Sequence, residues 1–169
     1  FHLKILNVIP KDGIVQIGND NAKNTIIEFM DYFCGYCKKV HPELLQIANE
    51  RDDTRLIFLQ HPVLSESSKL LANMVVAANK QNKGIEFHNA LFEIEGSLNN
   101  AKLQQIIEDL EINSAKLNID MSKEEVRNIV NISSFMANGS GARGTPTFFI
   151  NDELVVGYIS MDRIKSLLK

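Results

Sequence analysis

No stretch of this chain approaches the roughly 18–20 consecutive apolar residues that a membrane-spanning helix needs. The most apolar run, Leu70 to Ala78, is broken by Asn73. Cysteine is scarce. There are two in 169 residues, three positions apart, so a disulfide scaffold is excluded and both belong to one local feature. Glycine and proline are few, nine and four, and a disordered chain is not indicated. The net charge is only −3, which gives no electrostatic reason for nucleic acid or an anionic membrane as partner. A basic start followed by an apolar stretch is missing, and the first residue is Phe1, not methionine. Either a leader has been removed or the sequence begins inside a longer chain.

What is present suits one domain with a core of its own: apolar residues make up 44% of the chain. Residues 1–12 are apolar-rich and too short in pattern to assign as helix or strand. Residues 14–17 suit a short edge strand. The β-branched and aromatic run Thr25–Met30 predicts a buried strand. After Cys37, apolar residues recur at helical spacing from Val40 to about Glu50, with Pro42 inside, where a kink is expected. Leu56–Leu59 predicts a second strand, closed by His61-Pro62. Helical stripes follow at 70–78, 87–92 and 103–110. Ser122-Lys-Glu-Glu125 matches a capping box for a fourth helix, ended by Asn138-Gly-Ser-Gly141. Thr147–Ile150 and Leu154–Val156 flank Asn151-Asp152-Glu153, a hairpin. Residues 160–168 predict a last helix capped by Ser160.

The order is βαβ, a helical block, then ββα. It predicts an α/β thioredoxin fold with an inserted all-helical subdomain. Residues 13–61 and 145–169 form the thioredoxin domain. Residues 62–144 form the insertion, since a plain connection takes about 2–6 residues. Residues 1–12 stand as an N-terminal segment, a possible remnant of an oligomerisation region.

The chemistry gathers at Cys34-Gly-Tyr-Cys37. A zinc site needs about four ligands. This pair supplies two, and His2, His41, His61 and His88 lack paired spacing. Haem attachment needs a histidine at position 38, which is lysine. A CxxC that follows a strand and opens a helix is instead the pattern of a redox pair. Two intervening residues let the sulfurs meet across the first helical turn. Cys34 then lies at the helix N-terminus, where unpaired N–H groups and the dipole favour thiolate over thiol. Cys34 is expected to be the exposed nucleophile and Cys37 the resolving thiol one turn deeper. Lys38 and Lys39 either add positive charge or are plain solvated residues. Thr145-Pro146 opens a core strand with a residue that cannot donate a ladder bond. A cis bond in a loop beside the cysteines is favoured over an ordinary trans turn. There the backbone can pair with an extended substrate segment. His88 reads as core and His41 as solvated.

Ile27-Glu-Phe-Met-Asp-Tyr-Phe-Cys-Gly-Tyr-Cys-Lys38, the His61-Pro62 strand end, the helical insert and Gly144-Thr-Pro-Thr-Phe-Phe-Ile-Asn151 resemble the DsbA-like bacterial thiol oxidoreductases. The similarity runs from about Asn19 to the end and is nearest to the ScsC-type branch and its alphaproteobacterial relatives. It implies a thioredoxin domain with a helical insertion, a periplasmic location, no cofactor beyond the redox-active cysteine pair, and a cis-proline at Pro146 preceded by Thr145 facing the sulfurs. By the same resemblance Glu28 matches a buried acid that assists proton transfer. This sequence departs from the strongly oxidising members, which carry Cys-Pro-His-Cys and valine before the proline. Gly35-Tyr36 and Thr145 resemble the periplasmic disulfide isomerases and imply a less oxidising pair.

Disulfide isomerisation or reduction of misfolded exported proteins is therefore the leading expectation, with a membrane redox partner and a possible homo-oligomer. A monomeric dithiol oxidase is the alternative. A copper-sequestering or chaperone-like binder is a third, because two thiolates suit soft Cu(I).

Overall fold

The computed structural model describes residues 1–169. Five strands form one sheet, β1 (Val15–Ile17), β2 (Asn24–Met30), β3 (Thr54–Gln60), β4 (Thr147–Ile150) and β5 (Glu153–Val156), in the order β1-β3-β2-β4-β5. β2 and β3 run parallel, with Glu28 opposite Phe58. β4 lies antiparallel on the other side of β2, with Glu28 opposite Phe148, and β5 closes that edge as the predicted hairpin. β1 pairs antiparallel with β3 at the opposite edge. β2 is buried along its whole length, as expected for a parallel strand covered on both faces.

Alternation along the strands divides the core in two. One face carries Ile26, Leu56, Phe58, Phe148 and Ile150. It is covered by α2 (Gly35–Glu50) through Val40, Leu44 and Ile47, and by α8 (Met161–Ser166) through Ile164. Each of these fully buried aliphatic side chains contributes about 1.5–3 kcal/mol. The opposite face carries Ile27, Phe29, Ile57, Leu59 and Phe149. α2 runs unbroken through Pro42.

Between β3 and β4 lie five helices: α3 (Glu66–Asn79), α4 (Gly84–Glu93), α5 (Asn100–Asp109), α6 (Ser114–Met121) and α7 (Glu124–Ser140). The insertion is thus all helical, and its elements share the core of the sheet. Phe87 of α4 joins the α2 face, and Ala137 of α7 joins the other. Gly141, in the left-handed region at φ 102, ends α7 where glycine carries no Cβ penalty.

Three local features differ from, or go beyond, what the sequence predicts. The N-terminal segment packs on the sheet. His2–Val8 is a helix, α1, and Ile5 and Ile9 are buried against Phe29, Ile57 and Phe149. Its outer side keeps Phe1, Leu3 and Val8 exposed. α6 leaves no helical stripe in the sequence, because its eight residues alternate polar and apolar with a strand-like period; Asn113 caps it by accepting from the Lys116 N–H. The capping box at Ser122 does not form. Ser122 Oγ donates to the Asn118 carbonyl at 3.0 Å, and α7 starts after Lys123 with no side-chain cap.

Candidate active site

β2 ends at Met30, and the chain turns through Asp31–Phe33 into α2. Cys34 is the N-cap of that helix, and its Sγ accepts the Cys37 N–H at 3.3 Å. A sulfur in this place satisfies one of the orphan donors of the first turn and meets the positive end of the helix. Both cysteines are free thiols. Cys34 is less open than expected, at 8% exposure, and Cys37 is fully buried.

The two thiols are driven apart in acidity. A hydrogen bond from the Cys37 thiol is the main cause that pulls Cys34 down to about 6. Partial burial opposes it, while the Thr145 side chain and the N–H groups of Cys37 and Tyr36 assist. Burial pushes Cys37 far up, with help from its bond to Cys34 and from the nearby Glu28. Neither Lys38 nor Lys39 contributes to the Cys34 thiolate. The Lys38 ammonium donates to the Ile94 carbonyl of the insert, and Lys39 sits 4.5 Å from the centre of the Tyr158 ring.

Glu28 lies on β2, on the sheet face that α2 covers. It is 1% exposed, and neither carboxylate oxygen has a hydrogen-bond partner. Burial first, then the Cys34 charge, hold its pKa well above the ordinary carboxylate range. The Thr145–Pro146 peptide is cis, and the Thr145 carbonyl accepts from Cys34 Sγ at 3.3 Å. Gly35 is open, with no atom within 4 Å of where a Cβ would stand. Tyr36 is exposed, its ring 5.8 Å from Tyr158. All seven residues singled out in the sequence (Glu28, Cys34, Gly35, Tyr36, Cys37, Thr145 and Pro146) thus belong to α2's first turn or to the strand and loop beside it.

A groove of about 280 Å³ opens beside Cys34, walled by Tyr32, Phe33, Leu71, Leu91, Ile94 and Leu98. Sequence reasoning missed the polar groups that support it. Tyr32 Oη accepts from Gln60 Nε2 at 2.9 Å and lies 2.7 Å from His88 Nδ1. His88 is in the core, as expected. His41 is not solvated: it is buried under Phe92, 2.9 Å from Asn89 Oδ1, its ring centre 5.0 Å from that of His88. Burial lowers His41 to about 4 and holds His88 well below the ordinary histidine range, so both are neutral at pH 7. Asp31 is also buried, with four donors on its carboxylate. No group of three or more His, Cys, Asp or Glu side chains converges in a metal-holding arrangement.

This geometry is competent for thiol–disulfide exchange. The Cys34 thiolate can attack a disulfide, forming a new S–S bond as the other sulfur leaves as thiolate. Cys37 can then attack Cys34, releasing the bound sulfur and closing the Cys34–Cys37 disulfide. Its proton needs an acceptor, and Glu28 is the carboxylate close enough to perturb it. In the reduced protein, alkylation by iodoacetamide is expected to fall on Cys34 alone, with a midpoint near pH 6. A midpoint near the ordinary thiol value of about 8.5, or equal labelling of Cys37, would contradict this geometry.

The thioredoxin family model matches residues 11–169. Disulfide bond formation protein D of Bacillus subtilis is 24% identical over 169 residues, spanning 93% of this chain and 76% of that protein. A thioredoxin-like oxidoreductase from Silicibacter pomeroyi superposes with a TM-score of 0.85 at 28% identity, covering 94% of this chain and 91% of its own. The thiol-disulfide exchange protein alpha-DsbA2 from Wolbachia pipientis has the same fold, with a TM-score of 0.85 at 23% identity over 97% of this chain and 90% of that one. With a buried cysteine pair at the head of α2, a cis-proline loop against it and these relatives, the chain belongs to the thioredoxin family as a DsbA-like thiol–disulfide oxidoreductase.

Proposed function

We propose that this protein rearranges or reduces wrong disulfides in exported proteins, as a disulfide isomerase or reductase. The observation that carries the reading is the set of groups on the Cys34 sulfur. They are neutral, N–H and thiol donors together with the Thr145 carbonyl, with no cation among them. A strongly stabilised thiolate makes the reduced state comfortable and the pair a strong oxidant. Cysteines in such motifs range from about 3.5 in the strongest oxidants to about 7 in thioredoxin. Cys34, at about 6, lies toward the less oxidising end. Such a pair stays partly reduced and keeps a thiolate available to attack a disulfide that already exists.

Cys34 is the attacking residue in this reading and Cys37 the resolving one. Glu28 moves the proton, Gly35 and Tyr36 set the poise, and Thr145 and Pro146 present backbone to an extended substrate. The setting is the bacterial periplasm or cell envelope, where disulfides form and persist. Misfolded exported proteins are the substrates, and a membrane redox partner resets the pair. The exposed outer side of α1 supports association with further copies. The second reading, a monomeric dithiol oxidase, is favoured by the name of the Bacillus subtilis relative.

Scrambled ribonuclease in a glutathione buffer tests the choice. Recovery of ribonuclease activity, with slow oxidation of reduced ribonuclease, is the expected result. Fast oxidation of the reduced enzyme without rescue of the scrambled one would favour the oxidase.

A further inference from the structure

We propose that Asp31 is a positioning residue: its carboxylate fixes the Cys34 loop against the entry of the helical insert, and through that loop sets the reactivity of Cys34. The inference rests on Cys34 taking part in exchange, and on neither direction of that exchange.

Asp31 directly follows β2 and is 1% exposed. A buried carboxylate is costly unless its acceptor sites are filled. It has about four such sites, and four donors occupy them. Oδ1 accepts the Phe33 N–H at 2.8 Å and the Ser68 hydroxyl at 2.8 Å. Oδ2 accepts the N–H groups of Val63 and Leu64, both at 3.0 Å. All four donors are neutral. One belongs to the redox loop, and three belong to the segment that leads from β3 into α3.

The main chain of Asp31 serves the same loop. Its carbonyl accepts the Cys34 N–H at 3.0 Å. Side chain and carbonyl together close the turn 31–34. That turn delivers Cys34 to the N-cap in an extended conformation, φ −79 and ψ 119, from which Sγ reaches the Cys37 N–H. The chain of cause runs from the Asp31 carboxylate to the Phe33 N–H, to the Cys34 backbone, to the sulfur. Ser65 caps α3 through the Ser68 N–H, so the Asp31–Ser68 bond ties the loop to the first turn of that helix. Of the three residues whose N–H groups it binds, Phe33 lines the groove beside Cys34.

Asparagine has the size of aspartate, but it turns two acceptor sites into two donors that face N–H or O–H groups. Asp31→Asn should therefore release half of the clamp without leaving a cavity. Position and charge predict opposite signs. Removing a negative charge near Cys34 favours its thiolate and lowers its midpoint. Loosening the loop weakens the hold of Sγ on the Cys37 N–H and raises it.

The test is Asp31→Asn in the full chain, with folding checked by circular dichroism. Cys34 ionisation is read by thiolate absorbance and by reaction with glutathione disulfide. The expected midpoint rises by about one pH unit, comparable to losing one charge-assisted hydrogen bond. At pH 6 the thiolate fraction falls about fivefold, and the rate about twofold, because a more basic thiolate is also the better nucleophile. An unchanged or lowered midpoint in the folded variant overturns the proposal. If Asp31→Asn does not fold, Ser68→Ala removes one of the four donors and keeps the carboxylate. A rise of about 0.3 unit is then expected, with faster amide exchange at Phe33, Val63 and Leu64. No change in either would overturn it. A wild-type protein that exchanges no disulfide at all would instead defeat the oxidoreductase function, and the titration would still report on Asp31.

Discussion

Replacing Glu28 by leucine is expected to make the protein more stable and slower at once. Both Glu28 oxygens are buried without a partner. Leaving buried polar groups unsatisfied costs about 1–3 kcal/mol, and leucine fills nearly the same space beside Phe58 and Phe148. A gain of about 2 kcal/mol corresponds to a rise of about 4–8 °C in Tm for a chain of this length. The gain depends on pH. Burial raises the folded pKa of Glu28 above its unfolded value. Its contribution to stability is therefore fullest below the unfolded pKa, about 4.3, and is lost as pH rises toward the folded one. The advantage of leucine must accordingly be larger at pH 7.5 than at pH 4. Thermal melts of the reduced protein at both values check the sign.

In the proposed exchange Glu28 is the acceptor for the Cys37 proton, and the same variant lacks it. A positioned acid or base is worth about 10²–10⁴-fold. Release of substrate by Cys37 should slow by about 10²-fold near neutral pH and recover in alkaline buffer, where hydroxide takes the proton. Stopped-flow oxidation of the reduced protein measures this directly. A Glu28→Leu protein that melts lower, or closes its disulfide at the wild-type rate at pH 7, would remove Glu28 from the chemistry.

Cys37→Ser should lose turnover more completely and leave its substrate attached. Cys34 keeps its place at the helix N-cap, and serine still offers a hydroxyl donor to the thiolate. The first attack therefore proceeds. Release does not, because Cys37 is the only other cysteine and acts from within the same turn. Intramolecular attack of this kind carries effective molarities of about 10⁵ M or more, which free thiols at millimolar concentration cannot replace. Mixed disulfides should accumulate, visible on non-reducing gels and by mass spectrometry, with steady-state turnover reduced at least about 10³-fold. Cys37→Ala should trap as well, more slowly, since it also removes the main support of the Cys34 thiolate. A Cys37→Ser protein that turns over normally would mean release by an outside thiol.

The redox centre was readable because its parts are close in sequence or marked by a rare residue. Cys34 and Cys37 share one helical turn, and Pro146 announces itself by opening a strand. The sheet was readable for a related reason: β2 and β3 are short apolar runs with sharp ends. Properties that depend on which distant surface covers a residue were not readable. His41 shares the buried face of α2 with Cys37 and Leu44, but a histidine there is covered only once Phe92 and His88 of α4 close over it. His2–Val8 becomes a helix because Ile5, with Ile9 just beyond its end, finds the back of the sheet. Asp31 left one faint signal, a carboxylate straight after a wholly apolar strand end. Its four donors lie up to 37 positions away and could not be counted from the sequence.

The two ends of the helical insert have a consequence for how this architecture can vary. The chain leaves the sheet at Val63 and Leu64, bound to Asp31, and returns at Thr145, whose carbonyl meets Cys34 Sγ. Departure and return are anchored within one loop of the same sulfur. Variation between those anchors is confined to surface that faces away from the sheet, because Phe87 and Phe92 of α4 and Ala137 of α7 complete the core on either side of the redox centre. The insert is held twice, by its junctions and by its inner face, and a graft of a foreign helical block should keep Val63–Ser68, Gly144–Pro146 and those three packing residues.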